Sequence, residues 1–208
     1  MNPLLTFKNS AAKIPEWSCS AGERWLLTAP TGWGKTIWLK QVSLLRDADK
    51  SQVAWHGELV TPDTVAKYRQ QWRYVTQTPF RFPHSLKTHF DRAAQFLDWD
   101  AEKSGAVENG FAAAAKTLGL RHMDLHRTRA TEISGGELQA VNLILAALSQ
   151  PEGLFLDEPT SAMDAVLAHA VEGWWEGHFT GACVWVTHDR EQQARLKSRG
   201  LKPLPVFP

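Results

Sequence analysis

No stretch of this sequence approaches the about eighteen apolar residues that a membrane-spanning helix needs, so the chain is not expected to cross a bilayer by itself. Its start lacks a basic segment followed by an apolar one, so export is not expected either. Cysteine is scarce: Cys19 and Cys183 lie far apart, which argues against a disulfide framework and predicts reduced thiols in a cytosolic protein. An excess of charge of one sign is also missing. The 23 basic and 22 acidic residues leave a net charge of +1, which gives no reason to expect nucleic-acid binding. There is no internal repeat and no low-complexity linker. What remains is 208 residues, 43% of them apolar, enough for one domain with an inserted subdomain. The ten tryptophans are read as packing residues.

Leu4–Lys8 and Ile14–Trp17 read as short strands, and Arg24–Thr28 as a buried strand running straight into a glycine-containing loop. Lys35–Leu45 has helical apolar spacing through Ile37, Trp38, Val42 and Leu45. Val53–Val60 reads as strand, turn, strand around His56-Gly57. Pro62–Gln71 is a predicted helix with Thr61 as N-cap, followed by a short strand at Arg73–Thr76. From Pro83 to Gln150 the composition turns to alanine, leucine and charge. Helices are expected near Leu86–Leu97, Ala106–Leu118 and Gly136–Ser149. Strands return at Leu154–Leu156 and Ala182–Val186, with a helix near Ala165–Glu176 between them. The tail, Pro203–Pro208, is expected on the surface. The alternation predicts a mostly parallel α/β sheet.

Three stretches carry chemistry. In Thr31-Gly32-Trp33-Gly34-Lys35-Thr36, successive backbone N–H groups can wrap phosphates, and the following helix points its positive end at them. Lys35 would reach the β- and γ-phosphates, and the Thr36 hydroxyl would hold Mg²⁺. The position five before Gly34, where such loops begin on glycine, is Ala29; alanine is tolerated there only at negative φ. Asp157 and Glu158 close an apolar run. Asp157 can hold Mg²⁺ through water, and Glu158 can act as general base toward the attacking water. Ser134-Gly135-Gly136 opens a helix with Ser134 as N-cap, a second start suited to phosphate. One γ-phosphate cannot easily use both, so this one is expected to serve a nucleotide held by a partner subunit. His188, after the strand Val184–Thr187, is a candidate donor to the γ-phosphate, and Gln77 a candidate sensor of Mg²⁺ or of the attacking water.

Together these residues resemble the nucleotide-binding subunit of ABC transporters. Ala29-Pro30-Thr31-Gly32-Trp33-Gly34-Lys35-Thr36, with Ile37 following, is similar to the Walker A motif, Gln77 to the Q-loop, and Ile133-Ser134-Gly135-Gly136-Glu137 to the signature motif. Leu154–Glu158 is similar to Walker B, Ser161-Ala162-Met163-Asp164 to the D-loop, and His188 to the switch histidine. The resemblance implies an α/β P-loop NTPase fold with a mostly parallel core sheet, a small antiparallel β subdomain and an inserted helical subdomain. The expected division is 1–82 with 151–208 as the core and 83–150 as the helical subdomain carrying the signature. ATP and Mg²⁺ are the implied ligands, with Thr36, Gln77 and Asp157 at the metal, and Glu158, His188 and Gln77 in the reaction. Two subunits would stack head to tail around ATP, a homodimer being expected. Ser134, Gly135, Gly136, Glu137 and Asp164 would meet the partner's nucleotide. A separate integral-membrane permease would convert closure into transport, placing the chain on the cytoplasmic face of the inner membrane. A groove near Pro79, Phe80, Phe82 and Pro83 is the expected permease contact. Within the family the likeness runs to the ATPase subunits of FetAB-type iron exporters, on Tyr68-Arg69-Gln70-Gln71, Gln77-Thr78-Pro79 and Val184–Asp189.

The sequence also departs from the family. Ala29 replaces a glycine, Glu137 stands where glutamine is frequent, and Ala140 and Leu145 stand where the signature helix usually carries arginine. Ser10-Ala11-Ala12 offers no aromatic to stack on adenine, leaving Trp17 as a substitute, and weak base selectivity is expected. Three alternatives stay open. A soluble ABC-type ATPase acting on DNA would need a long coiled coil between the two nucleotide motifs, yet only 122 positions separate Lys35 from Asp157 without sustained heptads, and one acting on ribosomes usually holds two such domains where this chain holds one. A small-molecule kinase has no use for Ser134-Gly135-Gly136 or His188. A degenerate regulatory subunit is favoured by Ala29, Ala140 and Leu145 and opposed by Glu158 and His188.

Overall fold

The computed structural model describes residues 3–9, 14, 16–46, 51–81 and 83–205. In chain order the elements are β1 Leu5–Lys8, β2 Glu16–Cys19, β3 Arg24–Leu27, α1 Lys35–Val42, β4 Gln52–Trp55, β5 Glu58–Leu59, α2 Val65–Gln71 and β6 Trp72–Val75. Then follow α3 Leu86–Phe96, α4 Ala101–Thr117, α5 Gly135–Leu148, β7 Gly153–Asp157, α6 Ala165–His178, β8 Ala182–Val186, α7 Arg190–Ser198 and β9 Lys202–Pro203.

The chain resolves into two compact units. The first is Met1–Thr76, Pro151–Glu158 and Gly181–Pro208; the second is Gln77–Gln150 and Pro159–Thr180. Residues 159–180, grouped with the core in the sequence reading, cluster with the helical unit because α6 packs on α5.

The first unit holds two sheets. One is antiparallel in the order β2-β1-β4-β5, with Leu5 and Phe7 of β1 turned inward and Thr6 and Lys8 outward. The other has the order β6-β7-β8-β3-β9, and each neighbouring pair is parallel. Every residue of β7 and β8 is buried, as continuous apolar strands covered on both faces require. Gly153 lets β6 and β7 approach: a Cβ there would lie 2.4 Å from the Trp72 indole.

In the second unit each of the four described helices starts on a side-chain cap. Ser85 accepts from the Thr88 N–H, Asp100 from Lys103, Ser134 from Glu137 and Asp164 from Leu167. The cap on Asp100 starts α4 five residues before the expected Ala106. In the first unit, α2 begins at Val65 and not at Pro62. Thr61–Thr64 forms a turn in which Thr64 Oγ1 accepts the Thr61 N–H at 2.9 Å and the Thr61 carbonyl accepts the Val65 N–H at 2.9 Å, and the N-cap position falls to Thr64. Two elements were not foreseen. α7 buries only Gln192 and Leu196 and so shows almost no apolar period, while its Asp189 cap accepts from the Gln192 N–H. β9 is the other: Pro203 pairs with Leu26 and the Leu204 N–H reaches the Leu26 carbonyl at 2.9 Å. The expectation that the tail lies on the surface is therefore corrected at Leu204, which is buried; residues 206–208 lie outside the described range.

Candidate functional site

In the first unit, register places three segments at one sheet edge. Leu27 of β3 lies beside Val186 of β8, and Val186 beside Asp157 of β7. The chain leaves these strands at the same carboxyl edge as the loop 28–34, as Asp157-Glu158 and as Thr187-His188. Parallel α/β sheets gather ligands at this edge.

The loop turns on two glycines in the left-handed region, Gly32 at φ 82° and Gly34 at φ 99°. Ala29 is not among the residues with positive φ, so the missing glycine costs nothing in backbone strain. Trp33 is buried in the core and holds the loop down, while Pro30, Thr31, Gly32 and Ile37 are exposed. Lys35 Nζ donates to the Ala29 carbonyl at 2.7 Å and to that of Pro30 at 3.3 Å, arching over the loop. At Gly34, where α1 starts, no side chain caps the helix and no acid stands in its first turn. α1 therefore brings no side-chain anion of its own to its N–H groups and positive end.

Asp157 is buried at the end of β7, and its Oδ2 accepts the Tyr74 hydroxyl of β6 at 2.7 Å. Burial, then that bond and the carboxylate charge, hold the Tyr74 hydroxyl above the ordinary tyrosine range, so it stays a donor. Glu158 has φ 48°, a left-handed conformation that costs a side-chain-bearing residue about 1–2 kcal/mol. Its N–H is held by the Val186 carbonyl at 3.1 Å, and its Oε1 lies 2.9 Å from His188 Nδ1. Such local strain is sustained only where surrounding contacts over-determine it, and it clusters at reactive sites. His188 is held from behind: the Asp189 N–H reaches Thr187 Oγ1 at 3.1 Å, and Gln193 donates to the Thr187 carbonyl. Thus the structure brings together the loop, Asp157, Glu158 and His188 within one unit. Thr36 and Asp157 supply a hydroxyl and a buried carboxylate, hard oxygen donors that fit Mg²⁺. Trp17 is buried with its ring edge-on to Trp38, centroids 5.5 Å apart, and so cannot be the adenine-stacking aromatic. Ser10-Ala11-Ala12 lies outside the described residues.

The second unit carries the other candidates. Ser134 and Glu137 form a reciprocal capping box: Ser134 Oγ accepts the Glu137 N–H at 3.2 Å, and Glu137 Oε2 the Ser134 N–H at 2.8 Å. Glu137 Oε1 also meets His122 Nε2 at 2.8 Å. Its carboxyl is held below its usual range by the Ser134 bonds and by His122, which overcome the opposing effect of burial. Gly136 is required by close packing: a Cβ would lie 2.5 Å from the Ala162 carbonyl oxygen. At Gly135 nothing approaches closer than Arg81 Nη2 at 3.6 Å. Asp164 caps α6. Gln77 is exposed, and its carbonyl accepts from Gln139. Ala140 is fully buried and Leu145 packs against Phe90, Ala94 and Val107, so the places where relatives carry arginine are packing positions here. Phe80 is 70% exposed; Phe82, expected beside it, lies outside the described residues. Two residues went unnoticed in the sequence, Tyr74 and Gln139. Both bond to motif residues distant in the chain, which no spacing rule marks.

The sequence profile of the family described as ABC transporter matches residues 13–161. The chain is 31% identical over 202 residues to the probable iron export ATP-binding protein FetA of Escherichia coli K12, covering 92% of this chain and 87% of that one. It is 30% identical over 182 residues to the molybdate/tungstate import ATP-binding protein WtpC of Pyrococcus horikoshii, covering 86% of this chain and 51% of that one. It therefore spans about half the length of that import relative. Among solved structures, an ATP-binding subunit of an ABC transporter superposes with a TM-score of 0.72 at 20% identity, covering 92% of this chain and 82% of that one. A bacterial Atm1-family ABC exporter with ATP bound superposes equally well over 35% of its length. The fold is that of a P-loop nucleoside triphosphatase. The chain belongs to the ABC transporter family, as one of its ATP-binding ATPase domains.

Proposed function

We propose that this chain is the ATP-hydrolysing subunit that drives a separate membrane permease, and that its cargo is a metal, iron, moved outward. The observation that carries the cargo is the likeness to the iron-export protein, which extends over nearly the whole of both chains. Import proteins match over about half their length, so the direction rests on that one likeness.

In this reading the N–H groups of 32–36 and Lys35 hold the β- and γ-phosphates. Thr36 and Asp157 would hold Mg²⁺, which when bound would offset the phosphate charge; Gln77 stays the candidate sensor of the metal or of the attacking water. Glu158 Oε1 takes the proton of the attacking water while His188 steadies both the glutamate and the γ-phosphate. Ser134, Gly135, Gly136, Glu137 and Asp164 serve the nucleotide of a second copy, stacked head to tail. The first compact unit is then the nucleotide-binding core and the second the arm that presents the signature. Among the described residues no helix is long and apolar enough to cross a membrane. Attachment would run through a permease at the cytoplasmic face, with exposed Phe80 part of the contact.

Glu158→Gln tests the chemistry. It is expected to bind ATP, to hydrolyse it at least about 100-fold more slowly, and to accumulate as a dimer in size-exclusion chromatography. Wild-type turnover in that variant removes Glu158 as the base. A tagged pull-down from detergent-solubilised membranes tests the partner. A multi-helix membrane protein in equal amount supports the transporter, whereas recovery alone, or with ribosomes or DNA, overturns it.

A further inference from the structure

Buried in the second unit is a polar side chain that the reaction described above does not use. Gln139 lies one turn beyond Gly136 on α5, only 2% exposed, with both ends of its amide bonded to motif segments. Its Nε2 donates to the Gln77 carbonyl at 2.5 Å and to Ser161 Oγ at 3.3 Å. Its Oε1 accepts the Ala162 N–H at 2.9 Å. The orientation of the amide is fixed by chemistry, because a backbone carbonyl only accepts and a backbone N–H only donates. On the same face of α5, Gly136 admits the backbone of Ala162 and Met163 so closely that a Cβ would lie 2.5 Å and 2.9 Å from it. The signature helix is therefore docked on the 160–164 segment by a glycine contact and tied to it, and to Gln77, by one glutamine.

We propose that Gln139 is a positioning residue for ATP hydrolysis, holding the Gln77 segment, the Ser161–Asp164 segment and the signature helix as one body. This rests on the ATPase reading. In that reading Gln77 serves the chain's own nucleotide, and the signature and Asp164 that of a second copy, so a fixed geometry among the three segments links the two. A buried amide that satisfies acceptors and a donor on two of them from the third makes any separate movement leave a buried polar group unpaired. Gln139 touches no reacting atom in this scheme; it acts through Gln77 and Ser161–Asp164. Its loss should therefore lower turnover without weakening nucleotide binding at loop 29–36, which lies in the other compact unit.

Two variants separate the links. Gln139→Met fills the volume and makes none of the three bonds. Gln139→Glu keeps the acceptor for the Ala162 N–H but sets a carboxylate against the Gln77 carbonyl. In Gln139→Met, kcat is expected to fall on the order of 10- to 100-fold, the effect of a misplacement of about 1 Å, while KM for ATP stays within about twofold. Hydrogen exchange, which needs no turnover, is expected to quicken at both 77–80 and 160–164 in Gln139→Met, but only at 77–80 in Gln139→Glu. The proposal is overturned by kcat within twofold of wild type in both variants. It is also overturned by a matched loss of ATP affinity with faster exchange throughout the chain, which would make Gln139 merely structural. A wild-type chain that hydrolyses no ATP would defeat the ATPase reading instead, and the exchange pattern would still decide whether Gln139 couples the segments.

Discussion

Replacing Tyr74 by phenylalanine removes one oxygen from the first unit and keeps the ring. The hydroxyl donates at 2.7 Å to a carboxylate that is only 2% exposed, so the acceptor cannot turn to water for a substitute. A hydrogen bond to a charged group contributes about 1.5–3 kcal/mol, and a buried acceptor left without its donor forfeits the whole of it. For a chain of this size each kcal/mol moves the melting temperature by about 2–4 °C, so Tyr74→Phe should melt about 3–12 °C below wild type at neutral pH. A second effect belongs to function. The bond fixes the rotation of Asp157, the carboxylate expected to face Mg²⁺. With the carboxylate loosened, the Mg²⁺ concentration for half-maximal ATPase rate should rise, while the rate at saturating Mg²⁺ recovers most of its value. Thermal melts without nucleotide and ATPase titrations against Mg²⁺ read the two effects separately. An unchanged melting temperature refutes the energetic argument. A lowered melting temperature with an unchanged Mg²⁺ titration makes Tyr74 a packing residue and removes it from the site.

Cys19 and Cys183 are both buried, and burial before any other cause pushes each thiol up to about 12. Their folded values lie above the unfolded ones, so the native chain keeps protons that the unfolded chain releases above about pH 9. Stability is then whole below that pH and falls as pH rises towards 12, by about 1.4 kcal/mol per pH unit for each thiol. Urea midpoints measured under reducing conditions should drop from pH 8 to 10 in wild type and much less in the Cys19→Ala/Cys183→Ala double variant; an equal slope in both excludes the thiols. Base selectivity gives the remaining prediction. Trp17 is packed away from any base, and an aromatic contact of this kind contributes only about 0.5–1.5 kcal/mol. GTP should then compete with ATP to within about tenfold, and competition binding that strongly prefers ATP would count against this.

Much of the first unit was legible because it is written in periods and breakers. The unbroken apolar runs at Leu154–Leu156 and Ala182–Val186 read as strands and are buried ones, and the glycine-containing loop after β3 proves to turn at Gly32 and Gly34 through positive φ. Register did the rest, since parallel pairing of β3, β8 and β7 brings their carboxyl ends to one edge whatever the connecting lengths. What failed was marked by caps or pairing and not by apolar spacing. α7 hides only two residues, so its start is written in Asp189 alone, and β9 earns its place through backbone bonds to β3 that any residue could make. At α2 a proline suited to a first helical position sits instead in the turn before it, because Thr64 closes that turn on Thr61.

The site was legible to a different depth, and the boundary is physical. Residues that must bend the backbone or carry charge stand out in a sequence, and Lys35, Asp157, Glu158 and His188 could be singled out for that reason. Residues that hold them do not, because a satisfied polar group in a core looks in sequence like a packing residue. Gly136 illustrates the overlap. Its position in Ser134-Gly135-Gly136 suggested room for a phosphate, yet the nearest demand on it is the backbone of Ala162 and Met163. The two demands are compatible, since the missing Cβ makes room for the 160–164 backbone while phosphate binding would rest on backbone N–H groups. A helix free of side chains on that face can lie against the 160–164 segment and still present its N-terminus, and Gln139, one turn on, then fixes the distance between them. Packing thus selects glycine at Gly136 in its own right, beside the phosphate role proposed for it, and only coordinates show the packing neighbour.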